Sequence, residues 1–469
     1  MRGDIDAQVH ELHDAGIVAP STSPYNSPTL MVPKTDGGWR MVVDFRRLNQ
    51  YVVTDPHPLP RIQNILEDLG GSMYFTAIDL LAGFYNLKIR AQDRHKTAFS
   101  TPAGHWEFIR LPMGLKNSPS IFQRLMNIVL TGCLGIYSYI YVDDVIVFSK
   151  TAEDHIKHLD DVLGRLEKVG LKIKASKTQV FRTSLKYLGF IVGREGLRIN
   201  PKKLEAIMKF PRPVNVKAVQ GFLGLTGYFR TFILGYASLA KPLYDLLRQD
   251  IPWKWGKPQE EAFETLKSRM TQAPVLAFPD FTRPFILTTD ASATALGAVL
   301  TQECGKKQRL ISCASRLLKG PELRYNNTDR EILAAVYGIR ANRSYLWGHK
   351  FILRTDHMAL KHLNSNTKDN SRAMKWHLDV SEYDFELQHK KGKSIPHADV
   401  LSRYPPPEKT KSMMAYLSPS LQSVELVPVL TPERWVKEIS SLKEKDRPHG
   451  EEVSVSYTHL RAHETKANL

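Results

Sequence analysis

The stretch Tyr139-Ile140-Tyr141-Val142-Asp143-Asp144-Val145-Ile146-Val147-Phe148-Ser149 decides how the rest of this chain is read. It lies in a β-branched and aromatic run, Ile136–Ser149, broken only by two adjacent acids. That pattern predicts a β-hairpin with both acids at its tip. Carboxylates at strand ends are costly to bury without a cation, so divalent metals are their natural partners. Neighbouring strand residues point to opposite faces, so one acid of the pair should face the metal squarely, and Asp143 is the choice. Asp-Asp alone is a common polar hairpin tip. A third acid, Asp79, closes the apolar strand Met73–Asp79 and turns the pair into a candidate site for two metal ions.

Outward from this hairpin, both flanks read as mixed structure. A short helix at about Ile5–Ala15 leads through a turn-rich segment to strands at Thr29–Pro33 and Trp39–Asp44. These two are joined by Thr35-Asp36-Gly37-Gly38, a hairpin signal. A second β-rich stretch is expected from Phe84 to Leu111. Ser118–Thr131 has helical spacing, with Ser118-Pro119 suiting its cap and first turn. An amphipathic helix, Glu153–Val169, precedes the strand-like Val180–Val192. Basic helices fill Lys202–Arg248, and Ile251–Pro284, marked by Trp and Pro, reads as a connecting segment. A new α/β pattern then opens at Phe285, with strands near Phe285–Asp290, Gly297–Gln302 and Leu310–Ala314. It continues with a helix at Thr328–Tyr345, strands at Phe351–Thr355 and Tyr383–His389, and a last short helix before Arg403.

Bulk properties narrow the classes. At 469 residues the chain is too long for one core, so several domains are expected. Lys and Arg number 65 against 48 Asp and Glu, a formal charge of +17 that suits a polyanionic partner or simply good solubility. Three cysteines, Cys133, Cys304 and Cys313, make neither a disulfide framework nor a Cys-x-x-Cys zinc site, and they suit a reducing compartment. No apolar run is long enough to span a bilayer, and the N-terminus lacks the apolar core of a signal peptide.

Motifs arranged around the two acidic sites make the reading specific. SPYNSPTLMVPK, GGWRMVVDFRRLN, DPHPLPRI, FTAIDLLAGFYNLKI, KTAFSTPAGHWEF, LPMGLKNSPSIFQRLM, YIYVDDVIVFS and YLGFIV follow one another between residues 8 and 250. Their order and spacing resemble the reverse transcriptase of gypsy-type LTR retrotransposons and, more distantly, of retroviruses. The resemblance implies that Asp79, Asp143 and Asp144 are the catalytic triad. It implies that Phe84 is an aromatic gate beneath the sugar, where a bulky ring excludes a 2′-hydroxyl. Arg40, and with it Lys34, aligns with the fingers cations that hold the incoming triphosphate, as their charge and donors allow. Met113, in LPMG, falls within the same nucleotide site. Tyr187, Leu188, Gly189 and Phe190 resemble the hairpin that grips the primer, and the helices after Pro201 resemble the thumb.

A second set of acids occupies TTDAS, DREILAAV, RTDHMAL and HADVLSR, namely Asp290, Glu331, Asp356 and Asp399. Singly each is more often a cap or a surface charge. Together, at the ends of elements in one α/β domain, they could bind two metals and hydrolyse a phosphodiester. In this order they resemble the ribonuclease H domain that follows gypsy-type reverse transcriptases, over about residues 280–404.

The sequence therefore implies an α+β architecture. A right-hand polymerase of fingers and palm (1–198) and thumb-like helices (199–250) is followed by a connection (251–281). An α/β RNase H-like domain with a mixed sheet (282–404) comes next, and then a linker or tail (405–469). Implied cofactors are two Mg²⁺ ions per site, with Mn²⁺ as an alternative. Implied partners are template-primer RNA, DNA or hybrid, deoxynucleoside triphosphates and a second copy of the chain. The location implied is cytoplasmic virus-like particles. A decayed fragment that binds nucleic acid without catalysis is the rival, as is a structural subunit serving an active partner. His397, the pair Leu81-Ala82 and Thr178 depart from the family pattern without removing a catalytic carboxylate. Protease and integrase motifs are missing, so the chain reads as a piece of a polyprotein. Its end, SVSYTHLRAHETKANL, fits neither resemblance and reads as foreign sequence or a disordered tail.

Overall fold

In the computed structural model, which describes residues 2–33, 37–305, 307–355 and 371–389, the hairpin forms half of a four-stranded antiparallel sheet. Its order is Ser138–Tyr141, Asp144–Ser149, Tyr74–Asp79 and Gln179–Arg182. The ladder sets Asp79 directly opposite Asp144 and Tyr74 opposite Ser149. Valine, isoleucine and phenylalanine dominate the two central strands, and Val145, Ile146, Val147 and Phe75 are buried. Helix Ala152–Lys168 covers one face. Thr151 caps it by accepting the Asp154 N–H at 3.1 Å, and its stripe of Leu159, Val162 and Leu166 is buried. Burying three such side chains is worth roughly 5 kcal/mol. That is comparable with a domain's whole net stability, so the apolar stripe rather than helix propensity places this helix.

The same helix buries His155 completely. Its Nε2 lies 2.8 Å from Thr76 Oγ1 and its Nδ1 2.9 Å from Ser149 Oγ, linking the two central strands from behind. Burial first, and then the neighbouring His158, lowers its pKa from 6.5 to about 4. Between those values the unfolded chain binds the proton that the folded one refuses. Stability is therefore full above pH 6.5 and falls as the pH drops toward 4, by roughly 3 kcal/mol in total for this group. Urea midpoints at pH 7 and pH 5 should differ more for the parent than for His155→Gln. That comparison isolates His155 from Asp143, whose raised pKa works in the opposite sense. Equal differences in the two proteins would refute the assignment.

The amino-terminal part has its own core of Val9, Val18, Val43, Phe45, Phe99, Trp106 and Phe108. It carries helix Arg2–Asp14, the hairpin Thr29–Pro33 with Trp39–Val43, and a small sheet in which Gly104–Phe108 pairs with Val18–Pro20 and Phe99–Thr101. The β-rich stretch expected from Phe84 to Leu111 is mostly something else. Gly83–Asn86 and His95–Thr97 are 3₁₀ turns, Ala91–Arg94 is a helical turn, and only two short strands remain. Two further helices, Arg46–Tyr51 and Ile62–Asp68, lie in segments where no element was expected.

After the four-stranded sheet, Ser184–Tyr187, Phe190–Gly193 and Gly196–Ile199 form a three-stranded antiparallel sheet. Helices Pro201–Met208, Val216–Gly227 and Tyr236–Asp245 follow. The segment read as a connection contains a 15-residue helix, Lys257–Thr271, that buries Phe263, Leu266 and Met270. Pro258 stands in its first turn, where a missing N–H costs nothing, so it starts the helix instead of breaking it. One hydrophobic cluster runs from Phe75 and Ile146 of the four-stranded sheet through Phe190, Phe222 and Phe263 to Val299, Leu310 and Cys313.

Those last residues belong to a five-stranded mixed sheet, ordered Lys307–Leu317, Ala295–Cys304, Phe285–Ala291, Phe351–Thr355 and Phe385–His389. The first three strands are antiparallel. The last two join parallel, after a crossover that carries helix Asn327–Ala341. A seam of backbone bonds ties this sheet to the three-stranded one. Leu197 and Leu276 exchange N–H···O bonds of 2.8 and 3.0 Å, and Ala277 N–H donates to Leu310 O at 2.7 Å. Among the described residues, no helix is long and apolar enough to cross a membrane.

Candidate active sites

Tyr141 pairs with Asp144 across the hairpin, leaving Val142-Asp143 as its two-residue turn. Asp143 thus lies in the turn and not on a strand, so the alternation of faces that singled it out does not apply. Its position is set instead by Val142, held at φ +55°, and by the floor beneath it. Oδ1 of Asp143 is buried with no hydrogen-bond partner. A Cβ on Gly83 would stand 3.1 Å from that oxygen and 2.8 Å from Phe122 Cζ, so glycine here lets the Phe122 ring and the carboxyl pack close. Burial, then the charges of Asp144 and Asp79, push the Asp143 pKa up to about 6. Asp144 is raised by burial and by Asp79, with Lys177 opposing. Lys177 Nζ stands 3.7 Å from Asp79 Oδ2. Thr178, one of the departures from the family pattern, accepts the Asp79 N–H on its hydroxyl at 3.3 Å.

An open cleft of ≈ 540 Å³ lies along Asp79 and Asp144, and Lys177, Lys186 and Lys202 line it. Sequence reasoning missed these three lysines as a group, because they come from a turn, a strand and a helix and no spacing connects them. Leu188 also borders the cleft. With φ +46° and +86°, Leu188 and Gly189 make the tight turn between Ser184–Tyr187 and Phe190–Gly193. Tyr228 donates its hydroxyl to Leu188 O at 2.8 Å and braces that turn. Of the four residues expected to grip a primer, Tyr187 and Phe190 have buried side chains. Tyr187 donates to Asp144 O at 3.2 Å, and Phe190 packs on Tyr228, Phe229 and Phe232. The less buried part of the motif is its turn, where Leu188 and Gly189 are half-buried.

On the other flank, Phe84 follows Ala82, which has a left-handed backbone, and meets Phe122 edge-on with centroids 5.4 Å apart. Arg40 lies exposed on its strand. Burial raises the Tyr85 phenol pKa, and the Arg40 charge works against that rise. Met113 is exposed beside Gly114. Lys34 lies outside the described residues.

In the second domain, Asp290 sits in strand Phe285–Ala291 opposite Gly297 and is nearly buried. Glu331, nearly buried on helix Asn327–Ala341, lies at the end of the helix that faces this strand's end, where Arg330 Nη1 donates to Ser292 O at 3.2 Å. Asp356 follows the last residue of strand Phe351–Thr355; it and Asp399 lie outside the described residues.

Among the described residues, no three acids, histidines or cysteines converge as a finished metal cage. The polymerase-side acids nevertheless fit a hard cation that takes part of its oxygen shell from substrate phosphates and water. The observation behind that fit is the unpartnered, like-charge-crowded Asp143 carboxyl.

Residues 32–192 match the family "Reverse transcriptase (RNA-dependent DNA polymerase)", and residues 255–353 match "RNase H-like domain found in reverse transcriptase". The second match begins ahead of helix Lys257–Thr271 and takes in what was read as a connection. A foamy viral protease-reverse transcriptase in complex with double-stranded DNA superposes with a TM-score of 0.74 at 25% identity, covering 82% of this chain and 69% of that one. Another structure of the foamy viral enzyme with double-stranded DNA gives 0.72 at 25% identity, covering 82% of each. Fold and site together define a reverse transcriptase domain joined to an RNase H-like domain. Among curated relatives, the Pol polyprotein from the Drosophila melanogaster transposon opus is 42% identical over 423 residues, which cover 87% of this chain and 42% of that one. That from transposon gypsy is 40% identical over 418 residues, covering 85% and 40%. The chain is similar to the Pol polyproteins of gypsy-type LTR retrotransposons, and spans about two fifths of the length of these relatives.

Proposed function

We propose that the chain is an RNA-directed DNA polymerase that extends a primer on a retroelement template and degrades the RNA of RNA–DNA hybrids. The observation that carries the first activity is the buried, unpartnered Oδ1 of Asp143, crowded by the charges of Asp144 and Asp79, two acids that line a lysine-bearing cleft beside the Leu188-Gly189 turn. Asp79, Asp143 and Asp144 would hold divalent cations, Mg²⁺ or Mn²⁺, which supply a lowered pKa for the primer 3′-hydroxyl and charge neutralisation at the phosphates. Lys177, Lys186 and Lys202 attract the phosphate backbone without reading bases. Arg40 and Lys34 would take the triphosphate of a deoxynucleotide, with Met113 beside them. Asp290, Glu331, Asp356 and Asp399 would serve hydrolysis of the RNA strand. A second copy of the chain and a cytoplasmic virus-like particle complete the reading.

The test is primer extension on an RNA template with deoxynucleotides and Mg²⁺. Synthesis supports the reading; a folded protein that binds template-primer without extending it would mark a binding-only fragment. Phe84 gives a second check. Trimming its ring in Phe84→Val removes the wall against a 2′-hydroxyl. Ribonucleotide use relative to deoxynucleotide use should rise roughly ten- to a hundredfold, the range of a contact worth 1–3 kcal/mol. An unchanged ratio of kcat/KM values would show that Phe84 is core alone.

A further inference from the structure

Gln123 is almost wholly buried on helix Ser118–Val129, one residue beyond the Phe122 that supports Phe84 and crowds Gly83. Both ends of its side-chain amide are engaged. Oε1 accepts the Val142 N–H at 2.9 Å, while Nε2 donates to Asn127 Oδ1 at 3.0 Å and to Ile140 O at 3.3 Å. Only the carbonyl oxygen can accept that N–H, so the amide has one orientation. The brace continues outward, with the Asn127 amide 3.1 Å from His57 Nε2 and Arg124 paired with Asp55.

Val142 is the residue this brace holds. It occupies the first position of the two-residue turn at φ +55°, while Asp143 is not among the residues of positive φ. A hairpin turn with positive φ at its first position alone prefers glycine there. A β-branched residue in that region is strained, and such strain persists only where the surroundings over-determine it. The next residue is Asp143, whose Oδ1 lies close over Gly83.

We propose that Gln123 is a positioning residue for polymerisation: its amide holds Val142 in the left-handed conformation and thereby aims the Asp143 carboxyl. The proposal rests on the reading of Asp143 as a polymerase acid. Helix Ser118–Val129 then serves both halves of the site, with Phe122 under the sugar-facing ring and Gln123 under the acid-bearing turn.

Gln123→Met keeps the volume and removes the polar contacts. In the parent, Gln123→Met and the double variant Gln123→Met with Val142→Gly, we would measure kcat and KM for a deoxynucleotide, template-primer Kd and hybrid cleavage. Gln123→Met should lower kcat about ten- to a hundredfold while template-primer Kd and hybrid cleavage stay within twofold. Glycine adopts the turn conformation with little strain, so the double variant should recover a large part of the lost kcat. A residue needed only for packing would gain nothing from Val142→Gly. Parent-like kcat in Gln123→Met, or no recovery in the double variant, overturns the proposal while the polymerase reading stands. If Gln123→Met fails to fold, as loss of hybrid cleavage would report, Gln123→Glu replaces it. Glu keeps the acceptor for Val142, and kcat below a tenth of the parent's in that folded variant also overturns the proposal. A folded parent that extends no primer overturns both readings.

Discussion

Asp143→Asn is expected to lower primer extension by about a thousandfold or more while leaving hybrid cleavage within a fewfold of the parent. The amide fills the same space above Gly83, so the loss is one of charge and not of shape. A thousandfold corresponds to about 4 kcal/mol of transition-state stabilisation, the scale of a preorganised charge in a partly dry site. The folded protein should gain stability, because a crowded carboxyl raised to about 6 becomes a neutral group. Thermal unfolding should therefore shift upward at pH 8, where Asp143 is ionised in the parent, and hardly at all at pH 4. Glu331→Gln should do the reverse to the two activities, removing hybrid cleavage and sparing extension. If either change removed both activities from a folded protein, the division into two sites would be wrong.

Gly196→Ala should have the largest effect on stability. Gly196 has φ +131°, and a Cβ there would stand 2.0 Å from Leu276 O. No rotamer avoids the clash because the added atom is the Cβ itself, and the neighbour is backbone. Either the Leu197–Leu276 exchange opens or the hairpin deforms. A cost of about 3 kcal/mol or more is expected from overpacking and backbone strain combined. Gly224→Ala, within helix Val216–Gly227 and with open space around its Cβ, is the matched control. That change should be neutral or stabilising by up to about 1 kcal/mol, as alanine favours helix. Urea unfolding of both variants checks the pair, and equal midpoints would show that the seam yields freely.

The strands around the candidate acids were legible in the sequence, because one β-branched and aromatic run closes on Asp79 and another is broken only by Asp143 and Asp144. The sequence also disclosed the second domain, whose strand-helix alternation is strong from Phe285 to Thr355. What it concealed has identifiable causes. Helix Lys257–Thr271 was hidden by Trp253, Trp255 and Pro258, residues that usually punctuate a loop but here flank or start a helix. The loop between Phe84 and Leu111 is rich in residues that suit strands, yet tertiary packing folds much of it into short turns. The direction of Asp143 could not follow from strand periodicity, since a turn has no faces to alternate. The hold of Gln123 on Val142 joins residues 19 apart on different elements, and no local pattern announces it.

The backbone seam through Leu197, Leu276, Ala277 and Leu310 bears on inheritance as well as on mechanics. Two modules on a slack tether can be traded between elements like cassettes, each arriving with its own surface complete. Here the cassette boundary cuts through shared hydrogen bonds and a shared apolar cluster. A chimera that takes its polymerase from one lineage and its nuclease from another would carry a mismatched seam, even with both sets of catalytic acids intact. Exchange is expected to succeed where the crossover leaves residues 184–317, which carry both sides of the seam, in one piece.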